Sequence, residues 1–218
     1  MSEHRFRSVP VLRDLVPEEA WAGLARYPLQ TYPRGRTLLR QGPGGKHVLA
    51  LVSGMVKVVR TGRDGKERLL AFRGPGEILG EMAVEHDGER LADVRAMSMC
   101  KAFVVFNDDF RSFVQEHQLA YPLAVVAASR LREQTEACDG AVHERLAKAL
   151  IRLVEVSGGV DSFTLTRPEL AQHIGVGRNA VSEALKRLGP GRVSATKSRI
   201  KVIDVTALKE VVTASDGA

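Results

Sequence analysis

Residues 166–188 read T-R-P-E-L-A-Q-H-I-G-V-G-R-N-A-V-S-E-A-L-K-R-L, and the reading of this stretch decides the C-terminal fold. Thr166 is a helix N-cap residue, and Pro168 and Glu169 suit a first turn, where a missing N–H and a negative charge are both favoured. Ala171 is small where two helices must cross closely. Gly175 supplies a sharp turn, Val176 fills the gap between helices, and Val181, Leu185 and Leu188 mark the buried face of a second helix. That leaves Arg178, Asn179, Ser182, Glu183 and Lys186 on the outward face. Arg pairs with guanine, Asn with adenine and Glu with the cytosine amine, so this face has the chemistry of base readout in a major groove. Residues 175–180, G-V-G-R-N-A, also fit a dinucleotide-binding fingerprint, but that motif follows a strand, whereas here a helix precedes it.

Beyond Leu188, Gly189-Pro190-Gly191 breaks the chain and residues 193–203 read as a basic hairpin. As a wing it would set Lys197, Ser198 and Arg199 against phosphates. Residues 186–201 hold six basic side chains (Lys186, Arg187, Arg192, Lys197, Arg199, Lys201) and no acid, a local positive field suited to a polyanion. From residue 140 onward there are 12 Lys/Arg against 8 Asp/Glu, compared with 20 against 18 before it, within a net charge of +6.

Upstream the periodicity changes. Apolar residues at Leu12, Leu15, Val16, Ala20, Trp21 and Leu24 predict short helices, the second opening at Pro17. Residues 31–106 carry brief β-rich runs at 48–52, 56–59, 69–72 and 102–106, punctuated by glycines, as a β-sandwich or barrel requires. Helical spacing returns after Asp108, with Pro122 in a first turn and Leu123, Val126, Ala127, Arg130, Leu131 and Gln134 as a narrow stripe ending near Asp139-Gly140. Such a helix either packs on its own β-domain or pairs with a second copy. A further helix at 141–156 has Leu146, Ala149, Leu150 and Leu153 as its core stripe and stops at Ser157-Gly158-Gly159.

Composition excludes other classes. Cys100 and Cys138 lack metal-ligand spacing and do not form a disulfide framework, which fits a reducing cytoplasm. No run of about 18 apolar residues predicts a membrane span, and the first dozen residues are too polar for a signal peptide. No H-x-H constellation supports a cupin-type metalloenzyme, so no catalytic or metal-ligating residues are assigned and the chain does not read as an enzyme.

Together these features resemble the family of the cyclic-AMP receptor protein and FNR regulators. The likeness rests on Tyr32-Pro33-Arg34-Gly35, Arg40-Gln41-Gly42, Ser53-Gly54-Met55-Val56-Lys57-Val58, Gly74-Pro75-Gly76-Glu77-Ile78-Leu79-Gly80-Glu81-Met82-Ala83 and Arg90-Leu91-Ala92, besides the helix-turn-helix. It implies an α+β chain: an N-terminal β-roll (double-stranded jelly-roll) of the cyclic-nucleotide-binding type at 1–112, a dimerisation helix at 113–139 and a winged helix-turn-helix at 140–218. Implied partners are promoter DNA, a second copy of the chain and RNA polymerase, with cyclic AMP or cyclic GMP as effector and no other cofactor.

In nucleotide-binding relatives a Gly-Glu pair followed about ten residues later by Arg forms the phosphate cassette, matched here by Gly80, Glu81 and Arg90. Glu81 can accept from a ribose hydroxyl, Arg90 can fork onto a phosphate, and N–H groups near Met82 and Ala83 can complete an anion nest. The resemblance also implies adenine contacts from Gln134 and Thr135. Leu91 departs from the pattern, because the family usually places Ser or Thr there. The acids Glu85, Asp87 and Glu89 would oppose a phosphate if they faced inward. Iron–sulfur sensing would need an N-terminal cysteine cluster, and His47, His86, His117 and His143 are too scattered for haem ligation. Arg178-Asn179 and Ser182-Glu183 differ from the usual family recognition residues, as does Gly177 at a position where a capping Ser is common, so the DNA target should differ too. Two readings stay open: a regulator whose recognition helices are set about 34 Å apart by effector binding, or one with a vestigial pocket that acts without ligand or through a protein partner.

Overall fold

The computed structural model describes residues 10–85 and 88–215. These form two compact units, one of Val9–Glu67 with Ala71–Leu131, the other chiefly Arg132–Ala218.

The first unit opens with a 3₁₀ turn at Leu12–Leu15 and helix α1 at Glu18–Gly23, whose N-cap is Pro17. Eight strands follow: β1 Leu29–Tyr32, β2 Thr37–Leu39, β3 His47–Ser53, β4 Val56–Thr61, β5 Glu67–Arg73, β6 Ile78–Leu79, β7 Asp93–Ala96 and β8 Cys100–Phe106, with the short helix α2 Met82–Glu85 between β6 and β7. They make two four-stranded sheets in the orders β1-β8-β3-β6 and β2-β7-β4-β5. Strand β3 shows why its sequence is apolar at nearly every position. With a side-chain period of two, Val48 and Ala50 enter a core shared with Leu12, Leu24, Phe110 and Phe113, while Leu49 and Leu51 enter one shared with Val56, Val94 and Ala102. Gly54, in the β3–β4 turn, has φ +88°, and a Cβ there would run into the Met99 carbonyl and Cys100.

Helix α3 covers Asn107–Glu116 and α4 covers Ala120–Glu136. Val126 is buried and Leu123 partly so against the apolar cluster of Leu12, Phe110 and Phe113, so this side of the stripe packs on its own β-unit. A second, outward stripe carries Tyr121, Ala124, Ala128 and Leu131, with Tyr121 78% and Leu131 68% exposed.

The second unit contains α5 Val142–Val156, β9 Ser162–Phe163, α6 Arg167–His173, α7 Arg178–Leu188, β10 Val193–Ala195, β11 Ile200–Val202 and α8 Val205–Ser215. Its sheet order is β10-β11-β9. Helix α5 buries Leu146, Ala149, Leu150 and Leu153, and also Ala147 and Ile151, which makes it the central helix of the unit. Ala141 has no side-chain acceptor; its own N–H donates to Glu144 Oε2 at 3.1 Å and anchors the helix start. Glycines at positive φ, Gly158 at +72° and Gly159 at +96°, terminate it.

Candidate effector cassette and nucleic-acid interface

The cassette is stitched at both ends by backbone bonds. Gly42 and Arg90 exchange N–H···O bonds of 2.9 and 2.8 Å, and the Gly45 N–H donates to the Gly88 carbonyl at 2.7 Å. This brings the Arg90 side chain inward, where it is only 6% exposed. Its Nη2 donates to the His47 carbonyl at 2.7 Å. Its Nη1 is buried without a hydrogen-bond partner and lies against Gly80, where any Cβ would collide with it. Gly80 leaves room for this approach, and its φ of +86° lies in the left-handed region that favours glycine. Burial pulls the Arg90 pKa below its ordinary value, and the Glu81 charge opposes that shift.

Glu81 does not face Arg90 alone. It is ion-paired with Arg130 Nη1 from α4, and Arg130 Nη2 bonds Glu77 Oε2 at 2.7 Å and the Ile78 carbonyl at 2.9 Å. Glu77, 1% exposed, also lies 3.8 Å from Arg73 Nε. Burial disfavours the Arg130 charge, but Glu81 and Glu77 outweigh it and its pKa is raised. Arg73, Arg90 and Arg130 thus stand around Glu77 and Glu81, and Arg90 Nη1 and Arg130 Nε are each buried without a hydrogen-bond partner. An unmade bond at a buried charged group costs more than about 1–3 kcal/mol, so the Arg90 donor beside Gly80 suits an anionic acceptor. A phosphodiester oxygen is such an acceptor.

Arg130 was missed as a site residue in the sequence. Its available signal was an arginine interrupting the apolar stripe between Ala127 and Leu131; its partners lie 49 and 53 residues away in the chain. Other expected residues are placed differently. The Ala83 N–H is not left for a ligand, because it donates to the Gly80 carbonyl at 3.2 Å within the tight turn leading into α2. Met82 is 49% exposed and lines a half-open cavity of about 530 Å³ with Leu12, Phe110, Leu123, Glu81 and Arg130. Leu91 is 44% exposed, and Glu89 is exposed. His86 and Asp87 lie outside the described residues. Gln134 and Thr135 are exposed on the last turn of α4, in the second unit.

In that unit the helix-turn-helix is closed by a reciprocal cap. The Glu169 N–H donates to Thr166 Oγ1 at 3.3 Å while the Thr166 N–H donates to Glu169 Oε2 at 2.8 Å. The Thr166 hydroxyl, expected on the DNA surface, donates to the same Glu169 carboxylate at 2.8 Å, so its work is local. The turn has Gly175 at φ +67° and a bond from the Val176 N–H to the Ala171 carbonyl at 2.9 Å. Helix α7 buries Val181, Ala184 and Leu188; Leu185, expected in that face, is half-buried and Ala184 takes its place. Gly177 caps α7 without a side-chain bond.

Arg178, Asn179, Glu183 and Lys186 are exposed and Ser182 is half-buried, its hydroxyl donating back to the Arg178 carbonyl at 3.4 Å. Lys186 and Glu183 pair at 2.8 Å in open solvent, a contact worth about 0–1 kcal/mol and so easily exchanged for a base or phosphate. In the wing, Thr196 and Arg199 close the β10–β11 turn, with the Thr196 N–H donating to the Arg199 carbonyl at 2.8 Å and the Arg199 N–H to Thr196 Oγ1 at 3.1 Å. Lys197, Ser198 and Arg199 are left exposed at the tip. Two of the six basic residues are used elsewhere: Arg192 Nη1 donates to the Leu188 carbonyl at 3.0 Å, capping α7, and Lys201 lies 3.5 Å from Asp161.

The chain matches the cyclic nucleotide-binding domain over residues 29–117 and the Crp-like helix-turn-helix domain over 144–211. A cyclic AMP receptor protein of Thermus thermophilus is 33% identical over 208 residues, covering 89% of this chain and 96% of that protein. The chain belongs to the CRP/FNR family. It is a DNA-binding transcription regulator and not an enzyme. A CRP-like cAMP-activated global transcriptional regulator of Mycobacterium tuberculosis is 30% identical to this regulator over 165 residues, 71% of this chain and 74% of that one. Among solved structures, the catabolite activator protein of Thermus thermophilus aligns at 32% identity with a TM-score of 0.51, covering 93% of the regulator and 98% of that chain. The c-di-GMP responsive global regulator CLP of Xanthomonas campestris aligns at 20% identity and a TM-score of 0.68, over 86% of this chain and 100% of that one, a likeness of fold.

Proposed function

We propose that this regulator is a homodimer controlled by a cyclic nucleotide, cyclic AMP or cyclic GMP, held at Glu81 and Arg90, and that it acts in the cytoplasm on promoter DNA and RNA polymerase. The observation that carries the effector reading is Arg90 Nη1: a buried cationic donor beside Gly80 with no partner. A cyclic phosphodiester brings one negative charge and acceptor oxygens, and would satisfy that donor. Arg130 then acts as a positioning residue, because it joins Glu81 to α4. Any change in the Glu81 carboxylate on ligation is felt by the helix. The outward stripe of Tyr121, Ala124, Ala128 and Leu131 has the three- and four-residue spacing of a helix-pairing seam, which supports the dimer. The DNA is read by Arg178, Asn179, Ser182, Glu183 and Lys186, and its phosphates are met by Lys197, Ser198 and Arg199.

Two observations favour the second reading, a regulator whose pocket no longer binds nucleotide. Glu81 is already engaged by Arg130, and Leu91 offers no hydroxyl. Calorimetric titration of the purified protein with cyclic AMP and cyclic GMP separates the two readings. Saturable binding by the wild type, abolished in Arg90→Ala with the fold intact, supports the first; no heat with either nucleotide supports the second.

A further inference from the structure

Helix α4 contributes to both units: its residues up to Leu131 belong to the first and those from Arg132 onward to the second. Each half carries an ion pair within its own unit. Arg130 is bound to Glu77 and Glu81, and Glu133 accepts from Arg152 Nε of α5 at 3.0 Å. The second pair is nearly as protected as a core contact, with the Arg152 and Glu133 side chains 10% and 11% exposed.

Arg152 lies on α5 among Leu150, Ile151 and Leu153, all fully buried. A charge placed there gains little over a well-packed apolar residue, because desolvation offsets the Coulombic attraction. What it does provide is direction, since a guanidinium requires its carboxylate at a defined place. A second acid is within its electrostatic reach: Glu155, whose carboxyl is pushed up by burial, with Arg152 and Lys209 of α8 opposing that shift. Arg152 therefore stands between a carboxylate on the long helix and one on its own helix.

We infer that Glu133 and Arg152 form a positioning clamp that fixes the first helix of the DNA-binding domain to the end of the dimer helix. Its role is to set the two recognition helices of a dimer for two half-sites at once. Neither residue is among those proposed above to contact DNA or effector. The inference rests on the dimeric, DNA-reading function proposed above, but not on the identity of the effector. A duplex is first selected by the wild-type full-length protein from a random-sequence library, and a second duplex is made with one half-site scrambled. Glu133→Gln and Arg152→Gln are each expected to weaken binding to the two-site duplex about tenfold or more, while affinity for the half-site duplex stays within about twofold. The charge exchange Glu133→Arg with Arg152→Glu should recover much of the loss. Cyclic AMP affinity, measured in parallel by calorimetry, should be unchanged by either single substitution. Unchanged two-site binding would overturn the clamp, and so would an equal fall on both duplexes, which would mean damage to the DNA-binding domain itself. If the wild type binds no nucleotide, the effector reading fails alone, and the ratio of two-site to half-site affinity still decides the clamp.

Discussion

The β-unit and the DNA-binding unit handle charge in opposite ways. Around Glu81 the ionised groups are buried and already paired, with Arg73, Glu77, Arg130 and Glu81 joined in one network and Arg90 holding its unused donor beside Gly80. On α7 and the wing, Arg178, Asn179, Lys197 and Arg199 stand in solvent. Removing one member of a desolvated network leaves its partner charge stranded, whereas removing an exposed side chain loses only its own contacts. The first region should therefore respond steeply and all at once to substitution, the second by small and separable steps.

The largest effect is expected at Arg90. Arg90→Ala should lower cyclic AMP affinity by about 30-fold to several thousand-fold, as truncation of a buried charge pair costs roughly 2–5 kcal/mol; calorimetry is the check. Next is the opposite change at Leu91. Leu91→Ser restores a hydroxyl donor to a charged phosphate, worth roughly 1.5–3 kcal/mol, and should tighten binding about 10- to 150-fold. No gain would place Leu91, 44% exposed, away from the ligand.

On the DNA side, Arg178→Ala should cost about 1–3 kcal/mol against the selected duplex and relax base preference at one position. Lys197→Ala should weaken all duplexes alike and reduce the salt slope by about one. Equal sequence dependence in both variants would erase the distinction between base reading and phosphate contact.

The smallest effect concerns stability. Burial raises the Glu155 carboxyl pKa, so the folded state binds that proton more tightly than the unfolded chain. Its contribution is present at low pH and lost as pH rises through the raised folded value. Glu155→Gln should therefore raise the melting temperature slightly at pH 8, and the advantage should vanish on acidification. A stabilisation constant across pH would rule out the carboxyl as its source.

The same contrast governs what could be read from the sequence. The helix-turn-helix was legible because its determinants are local: the Thr166 and Glu169 cap, the turn at Gly175 and the exposed face of α7 lie within a few turns of chain. The β-rich runs were legible through the period-two burial of strands such as β3. Arg130 was not, because an arginine inside an apolar stripe acquires its meaning only from Glu77 and Glu81, which tertiary packing brings to it. Arg192 shows the same limit. It belongs to a basic run, yet its guanidinium is turned back to the carbonyls of Leu188 and Ala207. At Ala184 and Leu185 the periodicity gave the helix face correctly but not which of two adjacent residues the tight crossing would admit.

The most direct test of the central claim is the affinity of the purified full-length regulator for its selected duplex, titrated across rising cyclic AMP and, in parallel, cyclic GMP, for the wild type and Arg90→Ala. The account predicts that one of the nucleotides tightens wild-type binding about tenfold or more and leaves Arg90→Ala unchanged. Superimposable wild-type curves at every concentration of both nucleotides, or the same response in the variant, would contradict it.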